Sequence, residues 1–210
     1  MAGGDKLWTD IVSPGGSRPL IAYSIAAFQS CAAISRIALV VAEEKMGAAT
    51  ALVEQQRFDK VRAIVAGGAR RQDSVRAGLD AMDTCDYVIV HDGARPLVTH
   101  QMIEDALAAA LDTGASCCAI PVPDTVKETS DGAIIRTLDR STLMLAQTPQ
   151  AFRYDLLMDA HNRSVEDATD DASMIEALGG TVRIAPGSQR NIKVTTQDDL
   201  TLVQALLNAP

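Results

Sequence analysis

Aromatic residues and net positive charge are both scarce in this sequence. Aromatic side chains make up 3% of the 210 residues, so a buried core has to be built from Ala, Val, Leu and Ile. Lys and Arg together number 19 against 27 Asp and Glu, which gives a formal net charge of -8 at pH 7. A nucleic-acid surface needs clustered excess positive charge, so this balance argues against a nucleic-acid partner. It leaves room for a locally basic pocket that binds a small phosphorylated substrate.

Long apolar runs and a secretory leader are also missing. No window approaches the ~20 apolar residues of a transmembrane helix. The first twenty residues are interrupted by Gly, Pro and charged residues, unlike a signal peptide. We therefore expect no membrane partner and a cytoplasmic location. A chain of 210 residues is long enough for one well-buried domain, and we predict a single domain over residues 1–210.

The cysteines and histidines show no pattern typical of metal ligands. The cysteines are Cys31, Cys85, Cys117 and Cys118, and an H-x-x-x-H motif is absent. Buried, reduced thiols are expected, because a free cysteine packs as a small hydrophobic side chain. The histidines are scattered, which is typical of packing or surface residues. The sequence therefore predicts no metal site made by the protein alone.

Motifs for covalent catalysis and for common cofactors are absent as well. There is no G-x-S-x-G nucleophile elbow and no Walker A sequence. No G-x-G-x-x-G follows a predicted strand, which argues against a nicotinamide-binding domain. Without an obvious covalent nucleophile, any chemistry has to depend on positioning and charge stabilisation.

Short apolar runs alternate with helical patterns along most of the chain. Such runs are typical of strands that are buried on both faces of a parallel sheet. The predicted strands cover residues 37–43, 63–67, 87–92, 115–122, 145–152, 181–187 and 191–194. Residues 1–21 are glycine-rich and lack a period, so they are predicted to be loop. The alternation predicts an α/β fold, with a mostly parallel sheet and helices on both faces.

Residues 125–140 interrupt this alternation. Polar and apolar residues alternate around Asp131-Gly132, which is a strong hairpin signal. A hairpin inserted between elements of a parallel sheet does not join that sheet easily, so we predict a projecting arm. An isolated two-stranded hairpin is marginal in water, which favours an arm that pairs with another subunit. The alternative is a hairpin that folds back on its own domain.

Polar residues gather where predicted strands end. The apolar run at residues 87–90 stops before Asp92, Gly93 and Arg95, and ligands of open α/β sheets bind beyond the carboxyl ends of strands. Gly93 allows close approach to the backbone, and Arg95 offers a planar fork suited to phosphate or carboxylate. Residues 67–74, G-G-A-R-R-Q-D-S, join a strand to a helix whose N-terminus favours anions.

Further polar and basic side chains lie near the ends of other segments: Lys6, Arg71, Arg140, Thr148, Thr169 and Lys193. Each also has a simpler interpretation, because Lys6 and Arg71 could be solvated charges and Thr169 a helix cap. Together they predict a site for a polyanion with phosphates, handled by positioning and charge stabilisation.

Seven motifs occur in a fixed order along the chain. They are G-G-x-x-R-x-x-S-V-x-x-G-L (67–79), V-H-D-G-A-R-P (90–96), P-V-x-D-T-V-K (121–127), L-D-R (138–140), Q-T-P-Q-A-F (147–152), T-D-D-A-S (169–173) and N-I-K-V-T (191–195). This set resembles the 2-C-methyl-D-erythritol 4-phosphate cytidylyltransferase family of the non-mevalonate isoprenoid pathway, from about residue 18 onward. The resemblance implies a Rossmann-like nucleotidyltransferase domain that works as a homodimer through the 125–140 arm. It also implies transfer of a cytidylyl group from CTP to a sugar-alcohol phosphate, with Mg²⁺ carried by the CTP phosphates.

The resemblance further implies roles for individual residues. The expected catalytic residues are Lys6, Lys193, Asp92 and Arg95. The expected CTP-binding residues are Gly3, Gly4, Gly67, Gly68, Ser74 and Gly93. The expected ligands of the sugar phosphate are Asp92, Arg95, Thr125, Arg140, Thr148 and Thr169. Thr125 and Arg140 would reach the substrate of the neighbouring subunit.

The N-terminus departs from the family pattern. The family normally begins with a strand and an Ala-Ala-Gly loop with a following arginine, which wraps the CTP triphosphate. Residues 1–7 resemble only the tail of that loop, with Lys6 in the place of its catalytic lysine. We expect truncation, because losing a central strand would expose the apolar edges of its neighbours. Two alternatives stay open: a cytidylyltransferase for another polyol phosphate such as ribitol 5-phosphate, and a non-catalytic nucleotide-binding protein.

Overall fold

The computed structural model describes residues 6–164 and 167–209, and it confirms the predicted α/β fold. The strands are β1 (Asp10–Ser13), β2 (Gly16–Pro19), β3 (Ile37–Val41), β4 (Val61–Ala66), β5 (Tyr87–Val90), β6 (Ala115–Pro121), β7 (Lys127–Ser130), β8 (Ala133–Thr137), β9 (Met144–Arg153) and β10 (Arg183–Pro186). The helices are α1 (Leu20–Ser30), α2 (Met46–Gln56), α3 (Arg71–Asp80), α4 (His100–Thr113), α5 (Tyr154–Arg163), α6 (Asp171–Ala177) and α7 (Gln197–Asn208). Short 3₁₀ turns cover Lys6–Trp8, Glu43–Lys45 and Arg140–Thr142. Within the described ranges, no helix has the length and apolar character needed to cross a membrane.

The main sheet has four strands in the order β10-β6-β9-β5. Strand β10 is parallel to β6, whereas β9 runs antiparallel to both β6 and β5. Strands β3 and β4 form a second, parallel pair. Strands β10, β6 and β5 therefore run in one direction, and β9 is the antiparallel strand between β6 and β5.

Helices cover both faces of the main sheet. Ala151 of β9 packs with side chains of α1 and α4, whereas the next residue, Phe152, packs with α3, α5 and α6. Successive side chains of a strand point to opposite faces, so these two neighbours mark the two buried sides. Both residues are fully buried. The predicted arrangement of helices on both faces is confirmed.

The same helices connect β3 to β5, although the two strands belong to different sheets. Ile37 of β3 and Ile89 of β5 both pack on the cluster that contains Phe28 of α1. On the other face, α3 places Gly78 against Val40 of β3 and packs Leu79 near β5. In the part of the chain that the structure describes, β3 and β5 are not hydrogen-bonded to each other. Among the described residues, each is thus an edge strand of its own sheet.

Two elements of the sequence-based assignment are wrong. The predicted loop over residues 1–21 contains the antiparallel hairpin β1–β2. Ile11 is the buried side chain of β1 and its neighbours on both sides are exposed, so the apolar alternation is too short to stand out. Residues 191–194 do not form the predicted strand. The Val194 N–H does bond to the Ala94 carbonyl at 2.9 Å, but a strand requires a longer ladder of such bonds.

The predicted projecting hairpin is confirmed. Strands β7 and β8 form a two-stranded sheet of their own. The turn residues Asp131 and Gly132 have φ values of 50° and 78°, and positive φ at both positions is what a two-residue type I′ turn needs. Ile134 and Ile135 on β8 are 64% and 58% exposed. Pairing of this arm with a second subunit stays a prediction.

Candidate active site

A polar pocket of about 210 Å³ lies beyond the carboxyl end of β5. It is lined by Arg71, Asp92, Arg95, Ala146, Gln147, Thr148, Gln150, Thr169, Asp170 and Lys193. Five of the residues predicted from the sequence meet here: Asp92, Arg95, Thr148, Thr169 and Lys193. They come from the loop after β5, from β9, from the residues before α6 and from the segment after β10. The pocket is therefore assembled from parts of the chain that are more than a hundred residues apart.

The carboxylate of Asp92 is surrounded by three cations. Its oxygens lie 2.8 Å from Lys193 Nζ, 3.6 Å from Arg71 Nε and 3.8 Å from Arg95 Nε. Burial alone would raise the pKa of Asp92, but the hydrogen bond and charge of Lys193, with the two arginines, lower it below its ordinary value. Asp92 is therefore ionised at neutral pH. Among the described residues, Lys193 and Arg95 share this one carboxylate as an ion-pair partner, so these three side chains together carry one net positive charge.

Arg95 has an unused hydrogen-bond donor. Its Nη1 donates to the Asn191 carbonyl at 2.8 Å, and the Asn191 amide donates to the Thr148 carbonyl at 2.8 Å. Its Nε is buried and has no hydrogen-bond partner in the described chain. Burial lowers the pKa of Arg95, which remains far above neutrality. An unsatisfied buried N–H costs free energy, and a phosphate oxygen would satisfy it with a charge-assisted bond.

Arg71 belongs to the pocket, a point that the sequence left undecided. It is the first residue of α3, and its Nη1 lies 2.7 Å from Asp171 Oδ2. Asp171 is fully buried, and its Oδ1 lies 3.3 Å from Nε2 of the nearly buried His161. Burial would lower the pKa of Arg71, but the charges of Asp171 and Asp92 outweigh it and raise the pKa above its ordinary value. Arg71 is therefore a fixed cation and not a freely solvated one.

Sequence patterns contain little signal for this buried group. The arginine of G-G-x-x-R is visible as the first residue of a helix, but a charged residue at that position is common on surfaces. Asp171 resembles an ordinary first-turn acid, and His161 resembles a surface residue of α5. Their contact depends on the packing of α3 against α5 and of α5 against α6, which pattern alone does not provide.

Thr148 connects the two sides of the pocket. Its Oγ1 accepts a hydrogen bond from the Asp92 N–H at 3.0 Å and lies 3.1 Å from His91 Nδ1. The His91 Nε2 lies 3.1 Å from the Arg95 carbonyl, and the ring packs on Phe28. Burial lowers the pKa of His91 to about 4, so its ring is neutral at physiological pH. His91 is thus more than a packing residue, because both of its nitrogens contact the loop or strand that lines the pocket.

The glycines before α3 are required by close contacts. A Cβ on Gly67 would lie 2.8 Å from Ser74 Oγ, and one on Gly68 would lie 2.3 Å from Asp73 Cβ. The Gly68 N–H donates to Ser74 Oγ at 3.1 Å. At the start of α3, the Asp73 carboxylate accepts a hydrogen bond from the Arg70 N–H at 3.1 Å and pairs with the Arg70 guanidinium at 2.7 Å. The predicted residues Gly67, Gly68 and Ser74 therefore form one compact turn, adjacent in sequence to Arg71 but outside the pocket lining.

The remaining predicted residues are placed as follows. Lys6 donates from Nζ to the carbonyl of Thr195, two residues beyond Lys193. The carbonyl of Gly93 accepts the Ser24 hydroxyl at 3.0 Å, which anchors the loop that carries Asp92 to α1. Gly3 and Gly4 lie outside the described residues.

Thr125 and Arg140 lie at the base of the arm. Both are exposed, and Arg140 Nη1 donates to the Pro123 carbonyl at 2.7 Å. Neither lines the pocket of its own chain. Their predicted contact with the substrate of a neighbouring subunit stays a prediction.

Comparisons with known proteins agree on one family. The family model of 2-C-methyl-D-erythritol 4-phosphate cytidylyltransferase (IspD) matches residues 1–209. The protein of that name from Syntrophotalea carbinolica is 47% identical over 203 residues, which cover 94% of this chain and 87% of the relative. The one from Dehalococcoides mccartyi strain CBDB1 is 42% identical over 208 residues, which cover 99% of this chain and 90% of the relative.

Solved structures agree with the sequence relatives. The 2-C-methyl-D-erythritol 4-phosphate cytidylyltransferase of Thermus thermophilus has a TM-score of 0.79 at 33% identity, covering 98% of this chain and 95% of that one. The 4-diphosphocytidyl-2C-methyl-D-erythritol synthase of Anaerococcus prevotii has a TM-score of 0.84 at 28% identity, covering 91% and 87%. The chain belongs to the 2-C-methyl-D-erythritol 4-phosphate cytidylyltransferase family, whose members are nucleotidyltransferases.

Proposed function

We propose that this chain transfers the cytidylyl group of CTP to 2-C-methyl-D-erythritol 4-phosphate and releases pyrophosphate. The product is 4-diphosphocytidyl-2-C-methyl-D-erythritol, an intermediate of isoprenoid precursor synthesis. One observation carries the proposal: Lys193, Arg71 and Arg95 converge on a single carboxylate in a pocket beyond the end of β5. Family membership supports the same reaction.

The reaction needs charge stabilisation more than acid–base chemistry. A phosphate monoester has a second pKa near 6, so the attacking phosphate is already a dianion at neutral pH. It attacks the α-phosphorus of CTP without a general base, and pyrophosphate departs with the bonding electron pair. The barrier lies in bringing two anions together and in stabilising the charge in line with the leaving group. Positioned cations in the pocket provide that stabilisation.

The residues of the pocket divide this work. Arg95 and Arg71 hold the sugar phosphate, since one has an unused buried N–H and the other is held from behind by Asp171. Lys193 acts on the α-phosphate, and it exchanges its contact with Asp92 for a phosphate oxygen. Lys6, near Lys193 through Thr195, acts on the same phosphates.

The CTP and polyol contacts come from the surrounding turns. Gly67, Gly68 and Ser74 contact the cytosine and its ribose, and Gly93 lines the nucleotide pocket beside Asp92. Thr148 and Thr169 close the site over the sugar phosphate, since both line the pocket.

We further propose that Mg²⁺ enters with the CTP phosphates. Magnesium is usually bound through one or two carboxylates and the phosphates of a substrate, not by an all-protein cage. Asp92 already lies within 3.8 Å of three cations, so a magnesium ion would be carried by the CTP phosphates and not by this carboxylate. Bound to the phosphates, the ion would add charge stabilisation to that of the lysines.

The assembly and location are proposals of the same kind. A homodimer would cover the exposed Ile134 and Ile135 of the arm, and it would bring Thr125 and Arg140 to the partner's pocket. We propose a cytoplasmic location, because all four cysteines are free thiols and reducing compartments keep thiols in that state.

The test is pyrophosphate release from CTP with Mg²⁺ and 2-C-methyl-D-erythritol 4-phosphate, measured on the 210-residue chain. Ribitol 5-phosphate is the competing substrate. A higher kcat/KM for the methylerythritol phosphate supports the proposal. A higher kcat/KM for ribitol 5-phosphate would show that the proposed substrate is wrong. CTP binding without turnover on either substrate rejects catalysis by this chain.

A further inference from the structure

His91, Thr148 and the loop after β5 form a continuous hydrogen-bond chain. It runs from the Arg95 carbonyl to His91 Nε2 at 3.1 Å, and from His91 Nδ1 to Thr148 Oγ1 at 3.1 Å. It ends at the Asp92 N–H, which donates to Thr148 Oγ1 at 3.0 Å. Its two ends are fixed in direction, because a carbonyl can only accept and a backbone N–H can only donate.

These fixed ends determine every proton between them. Nε2 has to carry a hydrogen, since its partner is the Arg95 carbonyl. The ring is neutral, because it packs against Phe28 with a carbonyl at Nε2 and a hydroxyl at Nδ1, and among the described residues no carboxylate contacts either nitrogen. Nδ1 is therefore a bare acceptor, and the Thr148 hydroxyl has to donate its one hydrogen to it. The hydroxyl oxygen accepts from the Asp92 N–H and keeps one further acceptor position.

Thr148 is consequently an acceptor for any ligand in the pocket that it lines. A phosphate offers only acceptor oxygens at neutral pH, so it cannot bond to this hydroxyl. A hydroxyl group of a polyol can donate to it. If His91 were an imidazolium, Nδ1 would donate, and the Thr148 hydrogen would be free for a phosphate. The ring of His91 thus determines which half of the substrate Thr148 recognises.

We propose that His91 is a positioning residue that fixes Thr148 as an acceptor for a substrate hydroxyl, and so helps to select a polyol. This inference rests on the proposed function, and it adds a specificity role that the phosphate-binding cations cannot provide. Sites built to bond a substrate hydroxyl discriminate strongly against analogues that cannot donate, because a buried polar group is then left unpaired.

Deoxyfluoro analogues test the direction of this hydrogen bond. Each of the substrate hydroxyls is replaced in turn by fluorine, which can accept but not donate. Wild type should use one of these analogues less well than the parent, with kcat/KM lower by about tenfold, the scale of one lost hydrogen bond. In Thr148→Val and His91→Phe, the ratio of kcat/KM for the parent to kcat/KM for that analogue should fall to about twofold or less. Thr148→Val removes the acceptor, and His91→Phe leaves the Thr148 hydroxyl free to turn.

His100→Phe is the matched control, because His100 is an exposed histidine bonded to Ser30, away from the pocket. It should retain the wild-type ratio. A structural role of His91 would instead lower kcat/KM equally for the parent and the fluoro analogue. An unchanged ratio in His91→Phe overturns the proposal.

An NMR measurement gives a result even if a variant does not fold. The ¹⁵N shifts of the His91 ring in wild-type protein should identify the neutral Nε2–H tautomer near neutral pH. An Nδ1–H tautomer or an imidazolium overturns the proposal. This measurement needs no turnover, so it tests the hydrogen-bond assignment separately from the proposed function. Absence of turnover would reject the proposed function. The tautomer of His91 decides whether Thr148 is an acceptor.

Discussion

Replacing Asp171 by Asn should destabilise the protein far more than its single charge suggests. Asp171 is fully buried and lies 2.7 Å from Arg71 and 3.3 Å from His161. Asn has nearly the same volume, so no cavity is created. The substitution removes the negative charge and leaves the guanidinium of Arg71 less compensated in a partly buried position.

The expected magnitude follows from the exposure of the two partners. Removing one partner of a fully buried ion pair costs about 3–5 kcal/mol. The Arg71 side chain is 31% exposed, and Asp92 remains 3.6 Å from its Nε as a second partner. Solvent and Asp92 together offset part of the cost, so we expect a loss of about 2–3 kcal/mol in the free energy of unfolding. For a domain of this size, that is a decrease in Tm of about 5–10 °C.

Urea unfolding at neutral pH measures this loss, provided that the m-value is unchanged. Asp159→Asn is the matched control. Asp159 pairs with Arg163 at 2.9 Å on the same helix as His161, but both side chains are largely exposed. Its loss should be about 0.5 kcal/mol or less, as for other exposed i,i+4 pairs.

A double-mutant cycle separates the ion pair from other effects of Asp171. Arg71→Gln combined with Asp171→Asn removes both charges, so the double variant should be no less stable than Asp171→Asn alone. Additive losses, or a loss for Asp171→Asn that matches the Asp159 control, would falsify the view that Arg71 is held by a buried carboxylate.

Three further outcomes follow from the same geometry. Lys193→Ala should lower kcat for pyrophosphate release by about 10²–10³, the scale for one transition-state contact, and a wild-type rate would remove Lys193 from that role. Arg140→Ala should mainly raise the KM for the sugar phosphate. The control is Arg136→Ala, which removes an ion pair with Glu128 on the same arm and should leave that KM unchanged. Equal KM values in the two variants contradict a substrate role for Arg140. Burial raises the pKa of Cys117 to about 11 and of Cys118 to about 12, so both thiols should resist alkylation at about pH 8 in native protein and react after unfolding, as read by mass spectrometry. The raised pKa values also make the free energy of unfolding depend on pH, because the unfolded thiols ionise before the buried ones do. The stability contributed by the two buried thiols is fully present below about pH 8.5 and is lost as the pH rises toward 11.

Local sequence signals predicted the regular elements well where one signal was sufficient. The Thr99 hydroxyl caps α4 by accepting from the Met102 N–H, and Thr196 and Asp199 form a capping box at the start of α7. Asp131-Gly132 identified the hairpin because few dipeptides tolerate positive φ at both positions. The antiparallel direction of β9 could not be predicted in this way. A strand of ten residues that is buried over most of its length has the same apolar pattern in either direction.

The sequence predicted the site residues that lie directly after a predicted strand. Asp92 and Arg95 could be identified because they follow an apolar strand, and the resemblance added Lys193 and Thr148. The functional state of each residue depends on contacts that no short pattern encodes. Arg71 is a fixed cation because Asp171, a hundred residues later, is buried beside it. His91 is neutral because it is enclosed between Phe28 and the loop that it bonds to. In the sequence both residues are as consistent with a solvated surface as with a site, since burial determines their roles and burial is a property of the assembled helices.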